Sequence, residues 1–292
     1  MIEGFGTRLT RAFQATGHLC VGIDPHPYLL EAWNLPISGS GAREFGLRVV
    51  DAAVGRAGIV KPQVAFFERH GSAGYAALEA TLQAARDAGI LVIADAKRGD
   101  LGSSVEAYGQ AWLTPGSPLE ADAMTISAYQ GVGSLAEPMA LALDGGKGLF
   151  VLAATSNPES FDTQRALVQS GKRVGLTVAA SIVDEMNAAA AVATRGDSRE
   201  STGSLNSFGF VIGATVSLAN YGISDTDLLA SPILAPGFGF QGAGTESVHR
   251  VYGAAARNVV VSSSRAILDA GPTGVTSAID AQVAELDRVF SK

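Results

Sequence analysis

Apolar residues along the chain fall into short β-rich runs, each followed by a polar or glycine-containing loop and then by a longer alanine-rich stretch with helical spacing. The runs predict strands near 18–24, 58–66, 90–95, 121–127, 148–154, 208–214, 232–236 and 258–263. Helices are expected near 3–16, 41–57, 72–88, 101–113, 132–144, 161–191, 216–229, 244–256 and 276–290. Runs such as Ile90-Leu-Val-Ile-Ala94 and Leu149-Phe-Val-Leu-Ala-Ala154 are apolar throughout, as strands of a parallel sheet buried on both faces must be. Eight such strands alternating with helices imply an α/β chain forming a closed (β/α)8 TIM barrel, a single domain with an N-terminal helix before its first strand; an open doubly wound sheet is the alternative. No strong repeat or linker divides the 292 residues, and the polar segment 195–207 reads as a solvated loop insertion before strand six.

Composition narrows the functional classes. Hydrophobic residues make up 47% and charged residues 17%, enough apolar surface for a large core. No apolar run approaches the roughly 20 residues needed to span a bilayer, and the N-terminus lacks the pattern of a secretory signal, so a cytoplasmic protein with no membrane partner is expected. A net charge of -7 argues against a nucleic-acid partner. The single cysteine, Cys20, excludes an intrachain disulfide and reads as a core residue. Four scattered histidines, His18, His26, His70 and His249, show no metal-binding spacing, and no phosphate loop of the nucleotide-hydrolysing type is present.

In a barrel the informative residues are the polar ones at the C-terminal strand ends, because a packed interior retains them only at a cost. Strand one ends in Asp24, strand two carries Lys61, and strand three runs into Asp95, Lys97 and Asp100. Residues i and i+2 of a strand point the same way, so Asp95 and Lys97 can both face the mouth, and interleaved lysines keep carboxylates ionised. A structural ion pair between Asp95 and Lys97, with Asp100 as an N-cap, is the competing reading. Two later segments suit an anion: Pro236-Gly-Phe-Gly-Phe-Gln-Gly-Ala-Gly244, with Gln241, and Val259-Val-Val-Ser-Ser-Ser-Arg265. Both follow the last two strands, the recurrent phosphate site of such barrels.

Asp95-x-Lys97-x-x-Asp100, together with Asp24, Lys61-Pro-Gln63, Thr155-Ser-Asn-Pro158, Pro236-Gly-x-Gly-x-Gln241 and Ser264-Arg265 in that order, resembles the orotidine 5'-phosphate decarboxylases, in their longer bacterial branch. The resemblance implies conversion of orotidine 5'-phosphate to uridine 5'-phosphate in pyrimidine synthesis, with no cofactor and no metal. By it, Asp24 and Lys61 hold ribose hydroxyls, and Lys61 also supports Asp95. Asp95 faces the substrate carboxylate, Lys97 protonates C6, Ser156 binds the ring's amide edge, and Gln241 and Arg265 hold the phosphate. It further implies a homodimer with shared sites, to which Asp100 and the nearby Ser104 come from the partner subunit. The chain departs from the family pattern at Phe240, where a small residue usually precedes the lid glutamine. A magnesium-dependent relative with the same Asp-x-Lys-x-x-Asp motif is the rival, but such relatives typically carry a glutamate where this chain has Lys61. A Schiff-base aldolase using Lys97 is disfavoured by the flanking carboxylates.

Overall fold

The computed structural model describes residues 2–193, 203–238 and 243–291. Its eight parallel strands are β1 Leu19–Ile23, β2 Ile59–Pro62, β3 Leu91–Arg98, β4 Ala123–Ile126, β5 Gly148–Ala154, β6 Phe208–Ile212, β7 Ile233–Pro236 and β8 Val259–Ser263. Each pairs with the next, and β8 returns to β1 through Leu19 opposite Val261, closing the barrel in sequence order. The expected (β/α)8 architecture is therefore the observed one.

Side chains on each strand alternate between two cores, the consequence of the two-residue period. Outward residues such as Val21, Val60, Val92 and Val261 pack beneath the surrounding helices. Inward residues, one from each strand, form a separate cluster: Cys20, Ile59, Ile93, Ala123, Phe150, Val211, Leu234 and Val260. The N-terminal helix Phe5–Thr16 seals this cluster from below, since Phe5 and Leu9 belong to it and Phe5 meets Phe150 edge-on at 5.9 Å. Arg8 fastens the helix by pairing with the buried Asp122 and donating to the Gly146 carbonyl at 2.8 Å. With the lower interior filled by apolar side chains, polar groups can project only into the upper layer, at the C-terminal strand ends.

Several expected elements differ; the helix expected over 244–256, for one, is a five-residue helix, Val248–Tyr252, between two 3-10 turns. The strand expected over 58–66 ends at Pro62, and Val64–Glu68 turns into a short helix that buries Val64 and Phe67. The single helix expected over 161–191 is a one-turn helix, Phe161–Gln164, followed by a bridge between Leu167 and Thr177 and then by helix Val178–Ala193. Gly171 and Gly175, at φ of 84° and 87°, make the intervening turn, which apolar periodicity alone does not reveal. The helix expected over 216–229 is replaced by two 3-10 turns, the second opened by a capping box between Ser224 and Asp227. In the segment expected as a solvated insertion, Ser207 is buried and its hydroxyl accepts from Gly6 N–H at 3.3 Å, so the 203–207 stretch docks on the N-terminal helix; residues 195–202 lie outside the described residues. No helix among the described residues is long and apolar enough to cross a membrane.

Candidate active site at the barrel mouth

A cavity of about 560 Å3 opens at the C-terminal strand ends, a size suited to a small metabolite. Asp24, Lys61, Asp95, Lys97, Ser156 and Arg265 all line it. They come from the ends of five strands, which explains why residues so far apart in sequence meet.

The centre of the site is one carboxylate between two ammonium groups. Lys61 Nζ lies 2.9 Å from Asp95 Oδ2, and Lys97 Nζ lies 2.6 Å from Asp95 Oδ1. Thr125 Oγ1 donates to the same Oδ1 at 2.9 Å. Burial alone would push the Asp95 carboxyl up, but the charges and hydrogen bonds of Lys61 and Lys97 outweigh it and hold the carboxyl well below its ordinary value. Burial opposes the charge on Lys61 as well; Asp95 and Asp24 overcome it and raise the ammonium above its ordinary value. Asp95 and Lys61 are accordingly both ionised near neutrality. Lys61 and Asp95 are buried, whereas the Lys97 side chain is 45% exposed, so Lys97 presents its charge to the cavity.

Opposite this array, Ser262, Ser264 and Arg265 from the end of β8 meet Pro236, Gly237 and Phe238 from the end of β7. Gly22 is required here: a Cβ at that position would stand 2.7 Å from the Ser264 Cβ. Among the described residues the buried Asp24 Oδ1 and Ser264 Oγ, whose residues line the cavity, have no hydrogen-bond partner; Ser263 Oγ and His70 Nε2, away from it, have none either. Buried polar atoms are ordinarily satisfied, so the two at the cavity suit a surface that meets a polar ligand. Gln241, assigned to the phosphate from sequence, lies outside the described residues, as does Phe240; Phe238 is buried and lines the cavity.

The loop after β5 supplies Thr155, Ser156 and Asn157. Gln164 fixes it, accepting from Thr155 N–H and donating to Thr155 Oγ1, both at 2.9 Å. Gly213 allows its close approach, since a Cβ there would lie 3.0 Å from the Ser156 Cβ. Asp100 and Ser104 are not brought to the cavity of their own chain. Ser104 is exposed on helix Gly102–Leu113, and Asp100 precedes the N-cap residue Leu101, whose N–H donates to Asp100 Oδ1 at 2.9 Å. The N-cap reading of Asp100 is therefore corrected by one position. Sequence reasoning missed Thr125 and Gln164, and gave no role to Gln63 of the Lys61-Pro-Gln63 segment, which lines the cavity. Thr125 was detectable as the hydroxyl two residues after the inward Ala123 in an otherwise apolar strand, whereas Gln164 carries no comparable signal.

A second cavity of about 530 Å3 lies at the opposite end, against the N-terminal helix. Its charged groups are already engaged: Arg8 pairs with Asp122, Arg11 with Glu3 and Lys147 with Glu120 at 2.6 Å, and Arg86 donates to the Glu120 carbonyl. It is part of the fastening of the barrel floor.

A closed parallel barrel with an ionised lysine–aspartate array at its mouth defines a small-metabolite enzyme of the TIM-barrel class. The chain belongs to the orotidine 5'-phosphate decarboxylase / HUMPS family, whose model matches residues 17–278. The orotidine 5'-phosphate decarboxylase of Streptomyces coelicolor is 46% identical over 288 residues, covering 98% of each chain. That of Salinispora tropica is 45% identical over 271 residues, covering 93% of this chain and 92% of the relative. Among solved structures, the Leishmania donovani OMP decarboxylase superposes with a TM-score of 0.77 at 26% identity, covering 99% of each chain.

Proposed function

We propose that this chain decarboxylates orotidine 5'-phosphate to uridine 5'-phosphate, the step its curated relatives are named for, in pyrimidine synthesis. The observation that carries the reading is the array in which Lys61 and Lys97 hold opposite oxygens of Asp95 at 2.9 and 2.6 Å beside a polar pocket containing Arg265.

Loss of carbon dioxide from C6 of the pyrimidine leaves an electron pair on a ring carbon. Lys97 brings a positive charge that matters more as that pair develops, and then delivers the proton that completes the product. Asp95 holds and aims the Lys97 ammonium at 2.6 Å, and its own negative charge stands where the substrate carboxylate must sit. Lys61 and Asp24 engage the ribose hydroxyls, with the unpartnered Asp24 Oδ1 as an acceptor. Ser156 reads the amide edge of the ring. Arg265, with Gln241, binds the phosphate, whose binding energy serves to order the loops around the reacting end.

The active form is a homodimer, in the cytoplasm, with Asp100 and Ser104 contributed across the interface. Two observations support this: both residues stand outside their own cavity, and the neighbouring loops expose Leu101 and Tyr129, which are 61% and 83% accessible. The rival within the family is a metal-dependent sugar-phosphate enzyme. The Lys61 ammonium, buried 2.9 Å from the carboxylate a cation would need, disfavours it.

The test is consumption of orotidine 5'-phosphate by purified protein with a chelator present. Turnover unaffected by chelation is expected; activity lost and restored only by magnesium would transfer the chain to the rival.

A further inference from the structure

Strand β3 does not run regularly past the reacting groups. Its pairing with β4 is in register at Ala94 opposite Met124 and resumes at Arg98 opposite Ile126. Between these pairs β3 spends three residues, Asp95, Ala96 and Lys97, where β4 spends one, Thr125. The surplus forms a bulge, the device by which strands re-aim side chains beside functional sites. Its cost is visible at Lys97, a non-glycine residue held at φ 46°, in the left-handed region.

Something must hold that conformation and satisfy the backbone group it withdraws from the ladder. Thr125 does both. Its Oγ1 accepts from the Lys97 backbone N–H at 2.9 Å and donates its one proton to Asp95 Oδ1 at 2.9 Å. The hydroxyl is fully buried and does not line the cavity, so it meets the two acting residues but not a ligand. The ionised Asp95 fixes its direction: a carboxylate only accepts, so the hydroxyl proton goes there and a lone pair remains for Lys97 N–H.

We infer that Thr125 is a positioning residue for the decarboxylation, locking the β3 bulge so that Lys97 and Asp95 keep a fixed mutual geometry. The inference rests on the proposed function for its kinetic consequence and on the bulge for its structural one. Thr125→Val preserves the branched shape while removing both hydrogen bonds; Thr125→Ser preserves the hydroxyl while removing the methyl. A buried packing role predicts that valine is the milder change. The positioning role predicts the reverse.

In T125V, kcat is expected to fall roughly 10- to 100-fold with KM little changed, the penalty of a small misplacement of a reacting group. T125S is expected to stay near wild-type turnover. In crystals of T125V, Lys97 should leave the left-handed region or its ammonium should separate from Asp95. Should T125V prove too unstable, Thr125→Cys, whose thiol is a poor hydrogen-bonding group, should lower kcat in the same way. Wild-type turnover in T125V, an unmoved Lys97 in its crystals, or a T125S defect as large as that of valine overturns the inference. A wild-type protein that leaves orotidine 5'-phosphate intact overturns the proposed function instead, and the crystallographic comparison then decides the role of Thr125 alone.

Discussion

The Lys97 ammonium lies 2.6 Å from Asp95 Oδ1, although the two residues belong to one strand and are separated only by Ala96. Side chains two apart on a strand share a face, but they normally run parallel rather than converge. The bulge opposite Thr125 tilts Lys97 back over Asp95, so one short segment supplies both members of an ion pair and Lys61 from β2 completes the set.

If Lys97 supplies the charge and proton, its removal should cost catalysis more than binding. Lys97→Ala is expected to lower kcat by on the order of 10³-fold or more. Calorimetric titration should still register binding of uridine 5'-phosphate. Undiminished turnover would remove Lys97 from the mechanism.

Asp95 is a stability element as well as a reacting one. Replacing it with asparagine leaves Lys61 buried beside a neutral group, a loss expected at about 3–5 kcal/mol in urea unfolding. Adding Lys61→Met to Asp95→Asn should recover much of that loss. Because folding depresses the Asp95 pKa, the stability it confers is present above its ordinary value of 3.8 and is lost as the pH falls below that toward the folded-state value. An asparagine variant as stable as wild type at neutral pH would contradict this account.

The proposed sharing of sites has its own measurement. Lys97→Ala and Asp100→Ala proteins, each inactive alone, should regain activity when mixed, because a mixed dimer contains one site with both residues intact. Recovery should follow the kinetics of subunit exchange. Absence of recovery after mass spectrometry has verified exchange would exclude Asp100 as a residue supplied in trans.

His18 provides a pH probe remote from the mouth. It is stacked between Phe13, at 4.1 Å, and Phe290, at 3.7 Å. Burial lowers its pKa from 6.5, against the opposing effects of its hydrogen bond to the Val259 carbonyl and of Asp287. The unfolded chain therefore binds a proton more readily in the window below 6.5, and stability should rise with pH through that window. His70 shifts in the same direction. Melting temperatures recorded from about pH 5 to about pH 7 should climb less steeply for His18→Phe than for wild type. Equal slopes would assign the effect elsewhere.

The barrel was legible because its determinants are local: each strand is a short apolar run, and the alternation with helices leaves few arrangements. Asp24, Lys61, Asp95, Lys97 and Arg265 were legible because polar groups ending such runs have one place to go, whereas Ser156 came only with the family resemblance. The turn at Gly171–Gly175 was not, because the alanine-rich stretch that follows it extends a helical reading back across the glycines. Thr125 was visible as an inward hydroxyl, but its task depends on a slip of register between two strands, a relation no single segment encodes. The same limit applies to Gln164, whose partner Thr155 is reached only after the chain turns back.

Closure of the barrel through Leu19 and Val261 also bears on how the molecule assembles. The first and last strands are separated by nearly the whole chain, so their pairing carries the entropy of a very long loop and contributes a high contact order. Until β8 arrives, β1 presents an open edge and β8's side of the mouth, with Ser264 and Arg265, does not exist. Catalytic competence should therefore be the last property gained in refolding, appearing with ring closure rather than with the earlier formation of helices.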